Sequence, residues 1–256
     1  LYYLWDLRLT VGHSSRSLDD MVRMARDDLT IRTAVLEGRY LWGDQPLFVE
    51  ARDRFWGEVV PGSEARFVAE KLAEREARHQ RMGDSRYVVE PNVKDGKGAL
   101  RDLQTLFWIG KYVHRVRAAA ELVEKGLFSE SEYRSFRRAE SFLLAVRAHL
   151  HTIAGRAEDR LTFDLQREVA RRMGYTDRPG KRAVERFMQV YFQQVQHVGH
   201  LTSVFLAHFE EEAGARGRLA SFLAGLRPRR PRVIAGYVED GGRLAAPADD
   251  WFTAAP

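Results

Sequence analysis

Apolar positions along this chain recur mostly at the three-to-four spacing of amphipathic helices, and only briefly at the two-residue spacing of a strand. Leu1-Tyr2-Tyr3-Leu4-Trp5 reads as the end of an apolar helix, and Leu7 to His13 then alternates apolar and polar residues, which predicts a half-buried strand. Ser17, with Asp20 three residues on, predicts a capped helix start with an acidic first turn. Asp28 is the expected cap of a helix from Leu29 to Trp42, with Ile31, Val35 and Leu36 on one face and Gly43 as its stop. A helix from Gln45 to Val59 follows, Pro61-Gly62-Ser63 breaks it, and Glu64 to Met82 continues as a long charged helix closed by Gly83.

Asp84 to Gly98 is then expected to be a loop. Further helices are predicted from Ala99 to Arg117, up to Gly126, from Ser129 to Gly155, from Phe163 to Met173 and from Arg182 to Glu212. Long helices with short connections predict a mainly α fold, a helical bundle. Beyond Pro228-Arg229-Arg230-Pro231 the pattern changes: Val233 to Val238, a Gly241-Gly242 turn and Arg243-Leu244 predict a short β-hairpin tail.

Composition narrows the functional class. No apolar run is long enough to span a bilayer. Lys and Arg number 41 against 36 Asp and Glu, a formal charge of +5, but the two signs interleave along nearly every segment. A nucleic-acid binder concentrates its basic charge, so a solvated helical surface with one or two local anion sites is expected instead. Cysteine is absent, which excludes disulfides, thiolate nucleophiles and Cys-ligated zinc, and is compatible with a reducing cytoplasm. Leu1 is not Met, no signal-peptide pattern is present, and Trp251 to Pro256 carries no closing signal, so the chain reads as part of something longer.

Candidate chemistry concentrates in Glu90-Pro91-Asn92-Val93-Lys94-Asp95-Gly96-Lys97-Gly98-Ala99-Leu100-Arg101-Asp102-Leu103-Gln104. Gly96 and Gly98 permit a tight loop that turns N–H groups toward an anion at a helix N-terminus, with Asn92, Lys94, Lys97 and Arg101 around it. The competing reading is a plain turn with solvated cations, and no Walker spacing is present. Asp102 either orients a guanidinium or serves as a first-turn helix acid. On the preceding helix, Lys71, Arg75, Arg78 and His79 share a face. They are either solvated beside Glu70, Glu74 and Glu76 or form the second wall of a triphosphate clamp. His197 and His200 share a face, but no carboxylate at ligand spacing completes a metal site. No strand carries the paired aspartates that two-metal nucleotidyl transfer needs.

The run from Glu90 through Gln104 to Trp108 closely resembles the signature of the bacterial PII uridylyltransferase/uridylyl-removing enzyme family and, more weakly, that of the glutamine synthetase adenylyltransferases. Leu4-Trp5-Asp6, Val11-Gly12-His13-Ser14, Asp28-Leu29-Thr30, Leu41-Trp42-Gly43-Asp44, Arg78-His79-Gln80-Arg81 and Glu158-Asp159-Arg160-Leu161 are similar to family segments in the same order. Ala99 stands where a third glycine is usual in the family, and a firmer helix start is expected from it.

The resemblance implies that residues 1–43 are the C-terminal remnant of an α/β nucleotidyltransferase domain, 44–226 a helical domain, and 227–256 a linker or the start of another domain. It implies a cytoplasmic bacterial enzyme that uses Mg²⁺ to transfer UMP from UTP to a tyrosine of the PII signalling protein, and removes it again when glutamine is abundant. Neither nucleic acid nor membrane is implied as a partner. The metal-binding Asp-x-Asp would lie upstream of Leu1, and the His-Asp hydrolase and ACT domains downstream of Pro256, so this portion alone is expected to be inactive. Lys94, Arg101, Arg75 and Arg78 would hold the triphosphate and stabilise charge on the leaving pyrophosphate. A glutamine synthetase adenylyltransferase, or a non-catalytic helical interaction module, are the alternatives.

Overall fold

Local side-chain caps set the helix starts at Leu18, Leu29, Gln45 and Glu130 in the structure, a computed structural model that describes residues 2–9 and 11–214 and strands within 232–245, with side chains described up to residue 209. The helices are α1 (Tyr2–Asp6), α2 (Leu18–Asp27), α3 (Leu29–Leu36), α4 (Gln45–Arg54), α5 (Glu64–Arg81), α6 (Leu100–His114), α7 (Glu121–Glu124), α8 (Glu130–Ala154), α9 (Phe163–Arg172) and α10 (Ala183–Gly214). A π-helical turn, Phe55–Val59, extends α4. Ser17 Oγ accepts the Asp20 N–H at 3.1 Å and Asp28 accepts the Ile31 N–H at 2.8 Å, as expected. Ser129 and Glu132 form a reciprocal capping box at the start of α8.

Two expectations fail near the beginning of the chain. The described residues 7–9 and 11–13 form no strand: Leu7 and Leu9 are 70% and 52% exposed, and none of these residues is paired in a sheet. Alternation alone leaves such backbone to water. The helix expected to reach Trp42 ends at Leu36. Gly38 weakens its continuation, and Leu41 and Trp42, 77% and 93% exposed, have no core to face.

The first of two compact units spans residues 1–208. In it α5 packs on α6, α6 on α3 and α8, and α8 on α9. The Phe67 ring stacks on Tyr112 at 3.9 Å between centroids, and Tyr112 Oη meets Ser63 Oγ at 2.7 Å, so the buried phenol is satisfied. Phe187 of α10 packs against Phe142 of α8 and Tyr175. Arg32, 1% exposed, turns its guanidinium onto the last carbonyls of α2, Ala25 O at 2.7 Å and Arg26 O, which supplies the cation that a helix C-terminus favours. Because Val22, Ala25, Arg32 and Leu36 are buried within this same unit, no break in packing marks residue 43.

The second unit, residues 209–256, contains an antiparallel meander in the order β1 (Arg232–Ile234), β2 (Tyr237–Asp240), β3 (Arg243–Ala245). The segment read as one strand, 233–238, is thus divided between two, and Asp240 pairs with Arg243 across the expected turn. Residues 241–242 themselves lie outside the described residues.

Candidate functional site

The glycine loop is closed by its own residues. Asn92 Oδ1 accepts the N–H groups of Lys94 at 3.0 Å and Asp95 at 2.7 Å, and Asn92 O accepts that of Gly96 at 3.0 Å. The Arg101 N–H reaches Lys94 O at 2.9 Å. Both glycines are required by close approach: a Cβ on Gly96 would stand 2.5 Å from Asn92 O. One on Gly98, whose φ is +81°, would stand 2.6 Å from Val195 O of α10. Ala99 is the N-cap of α6 in extended conformation and 1% exposed, so its helix propensity, expected to firm the helix start, does not come into play.

Asp102 joins the loop to α5. It is 1% exposed, and its Oδ1 accepts from the Arg78 guanidinium at 2.7 Å and lies 2.9 Å from His79 Nε2. Its Oδ2 accepts the Gly98 N–H at 2.8 Å, and Arg75 Nε stands 3.4 Å from Oδ1. Both roles weighed for Asp102 are therefore present, but the guanidinium it orients belongs to Arg78 rather than to its neighbour Arg101. Burial pushes this carboxyl up, but the His79 hydrogen bond, the Arg75 and His79 charges and the Gly98 N–H outweigh it and hold the group at about 2. A carboxyl depressed from 3.8 stabilises the fold fully above that value and loses its contribution as pH falls through about 2. Acid titration is therefore expected to remove about 2 kcal/mol between pH 3.8 and 2, a loss that an Asp102→Asn variant, lacking the carboxyl, does not show in urea melts across that window.

The predicted residues thus divide into two groups. Arg75, Arg78, His79, Gly98 and Asp102 converge in a buried lock, and the glycine N–H groups are occupied within the protein. Lys71 is buried too; its Nζ bonds Glu74 at 2.8 Å and lies 4.7 Å over the Trp108 ring. Lys94 and Arg101 keep side chains 31% and 28% exposed, with long contacts of 3.8 Å to Asp159 and 3.6 Å to Asp95. Neither makes a hydrogen bond to a carboxylate among the described residues, although Arg101 also lies 5.6 Å over the Trp108 ring.

Sequence reasoning assigned no role to the residues that hold the loop from its other side. The Val93 N–H bonds Asp159 O at 2.8 Å and the Leu161 N–H bonds Pro91 O at 2.9 Å, a short antiparallel bridge. Glu90 accepts the Phe163 N–H at 3.1 Å and so caps α9 from across the fold, while also binding Arg160 at 3.0 Å. Asp159 receives Arg147 at 2.7 Å and His151 at 3.2 Å; partial burial raises its carboxyl, but these hydrogen bonds outweigh that and leave it below the ordinary value. Glu158-Asp159-Arg160-Leu161 had signalled itself only as a family-like segment.

The carboxylates around the loop do not suit Mg²⁺. Asp102 and Asp159 are both surrounded by cations, and no three His, Asp or Glu side chains converge among the described residues. No helix among those residues is long and apolar enough to cross a membrane.

Comparison with known proteins places this geometry in context. A "Bifunctional uridylyltransferase/uridylyl-removing enzyme" of Novosphingobium aromaticivorans is 64% identical over 100% of the chain and 28% of its own length. Proteins of the same name from Erythrobacter litoralis and Bradyrhizobium diazoefficiens are 63% and 55% identical, each over 98% of the chain and 27% and 28% of their own lengths. The chain thus spans little more than a quarter of these curated relatives. No solved structure matches it. The family model described as "GlnD PII-uridylyltransferase" matches residues 66–206, more than half the chain and all of the lock and loop, and the chain therefore belongs to the GlnD PII-uridylyltransferase family.

Proposed function

We propose that this chain is the helical portion of a bifunctional uridylyltransferase/uridylyl-removing enzyme, and that its glycine loop presents Lys94 and Arg101 to the triphosphate of UTP. The observation that carries this reading is the division of labour at the loop. Asp102, Arg78, His79 and Gly98 fix the backbone from behind, while two cations, about 30% exposed, remain at its surface. Cations held by a rigid support stabilise charge on a departing pyrophosphate without reorganising first. Arg75, 13% exposed beside Asp102, is a third candidate at the edge of the lock.

In this reading the whole enzyme transfers UMP to a tyrosine of PII, reverses the modification in response to glutamine, and works in the bacterial cytoplasm. Mg²⁺ would be supplied by carboxylates outside this chain. Residues 1–43 would be the end of a nucleotidyltransferase domain, and Tyr2, Tyr3, Leu7, Leu41 and Trp42 expose apolar surface that the rest of such a domain would cover. The family match and the relatives' names favour this enzyme over a glutamine synthetase adenylyltransferase.

Hydrogen exchange on the full-length enzyme separates a nucleotide site from a plain helical interaction module. With UTP at a hundred times its Kd, amides of residues 92–102 that open only when nucleotide leaves are expected to exchange about 100-fold more slowly. Exchange there that ignores UTP would favour the interaction module.

A further inference from the structure

A basic cavity lies beside the glycine loop, and neither Lys94 nor Arg101 lines it. It measures about 250 Å³ and is lined by Arg81, Arg86, Lys97 and Arg160, with Glu90 the only acidic side chain in its wall. Two of the four cations are already paired: Lys97 with Asp84 at 2.6 Å and Arg160 with Glu90 at 3.0 Å. Arg81 and Arg86 have no carboxylate partner among the described residues. The cavity therefore carries an excess of positive charge within a confined space, where anion binding offsets repulsion between the guanidinium groups.

The construction around Arg86 is specific. Its Nε is fully buried and makes no hydrogen bond. Its guanidinium lies against Gly199 of α10 so closely that a Cβ there would stand 2.7 Å from Cζ and 2.8 Å from a terminal nitrogen. Gly199 thus leaves the room in which Arg86 is seated, and Tyr87, whose Oη accepts from Gln196 at 2.7 Å, ties the same segment to α10. Tyr191 adds a second polar group to the cavity wall. It is 1% exposed, its hydroxyl has no hydrogen-bond partner among the described residues, and burial raises its pKa, which keeps it a proton donor. An uncommitted guanidinium and a buried phenol in one basic wall are the groups that bind tetrahedral oxyanions.

We propose that this cavity is a binding site for a small phosphate oxyanion, inorganic phosphate or pyrophosphate, held by Arg86 and Arg81 and distinct from the Lys94 and Arg101 surface. Its volume is below the roughly 300–1,000 Å³ of pockets that enclose drug-sized ligands, which favours a phosphate group over a whole nucleotide. The glycine loop forms the shared wall, Asn92 and Gly96 facing the cavity while Lys94 and Arg101 stand outside it. An anion bound there would bear on the loop through Asn92 and Gly96 rather than through its proposed triphosphate contacts.

Calorimetric titration of the 256-residue chain with phosphate and, separately, with pyrophosphate, at constant ionic strength, tests the site and tells which anion it prefers. Arg86→Gln and Arg81→Gln are each expected to weaken binding at least tenfold, whereas Lys94→Gln with Arg101→Gln leaves that component in place. Arg81 is exposed, so its variant leaves the packing of Arg86 on α10 undisturbed and keeps the test valid if Arg86→Gln unfolds. No binding by the wild type, or binding indifferent to both Arg81 and Arg86, would overturn the proposal. Binding lost only with Lys94 and Arg101 would also overturn it, while leaving the triphosphate reading intact.

Discussion

Asp102→Asn is expected to destabilise the chain by about 3 kcal/mol or more, the cost typical of removing one partner from a buried ion pair. The substitution keeps the side-chain shape but leaves Arg78, Arg75 and His79 around a neutral amide, in a site where Asp102 is 1% exposed and Arg78 only 5%. It also weakens the acceptor for the Gly98 N–H, which is held at 2.8 Å and fixes the turn into α6. Urea unfolding should show a lower midpoint with an unchanged slope, since the surface exposed on unfolding is the same. A shift worth less than 1 kcal/mol would mean that the cluster is not the lock described above. Arg78→Ala, which leaves the buried carboxylate short of its closest cation, is expected to cost the same kind of penalty for the opposite reason.

What the sequence revealed, and what it concealed, follows the range of the interactions. Ser17, Asp28 and Ser129 cap helices through contacts to residues three positions away, so composition within a single turn suffices to locate them. The Leu7 to His13 alternation misled because a strand exists only where another strand pairs with it, which no local pattern reports. The end of α3 depends likewise on where the core stops, and Leu41 and Trp42 satisfy helical spacing with nothing to pack on.

At the site the same distinction separates residue choice from residue role. The loop, the basic face of α5 and Asp102 were all visible as chemistry. Their mutual arrangement was not, because Asp102 meets Arg78 and His79 across 24 and 23 residues. Of the four groups that resembled a ligand-binding set on a helical wheel, Arg75, Arg78 and His79 are partners of Asp102, and Lys71 is the partner of Glu74. Glu90, capping α9 across 73 residues, gave no local cue at all, since an isolated Glu before Pro91 resembles any loop acid. Gly98 was legible as a turn residue, but its closeness to Val195 of α10 depends on tertiary packing.

The second large effect concerns activity. If the loop is a rigid platform that offers Lys94 and Arg101 to the triphosphate, removing either charge leaves the fold intact, because both side chains are about 30% exposed and their internal contacts are 3.6 Å or longer. Catalysis, by contrast, loses charge stabilisation where pyrophosphate departs, and one such donor is worth roughly 100-fold in kcat. The pattern expected is thus the reverse of that for Asp102→Asn: stability preserved and turnover lost.

The measurement that bears most directly on this account is kcat/KM for UTP in PII uridylylation by the full-length enzyme carrying Lys94→Ala and Arg101→Ala, singly and together, with urea melts of the same proteins. The account predicts a fall of about 100-fold for each single variant, with unfolding midpoints within the small range typical of surface substitutions. Unchanged kcat/KM in the correctly folded double variant would contradict it and would leave the loop as a turn between α5 and α6 with no part in the chemistry.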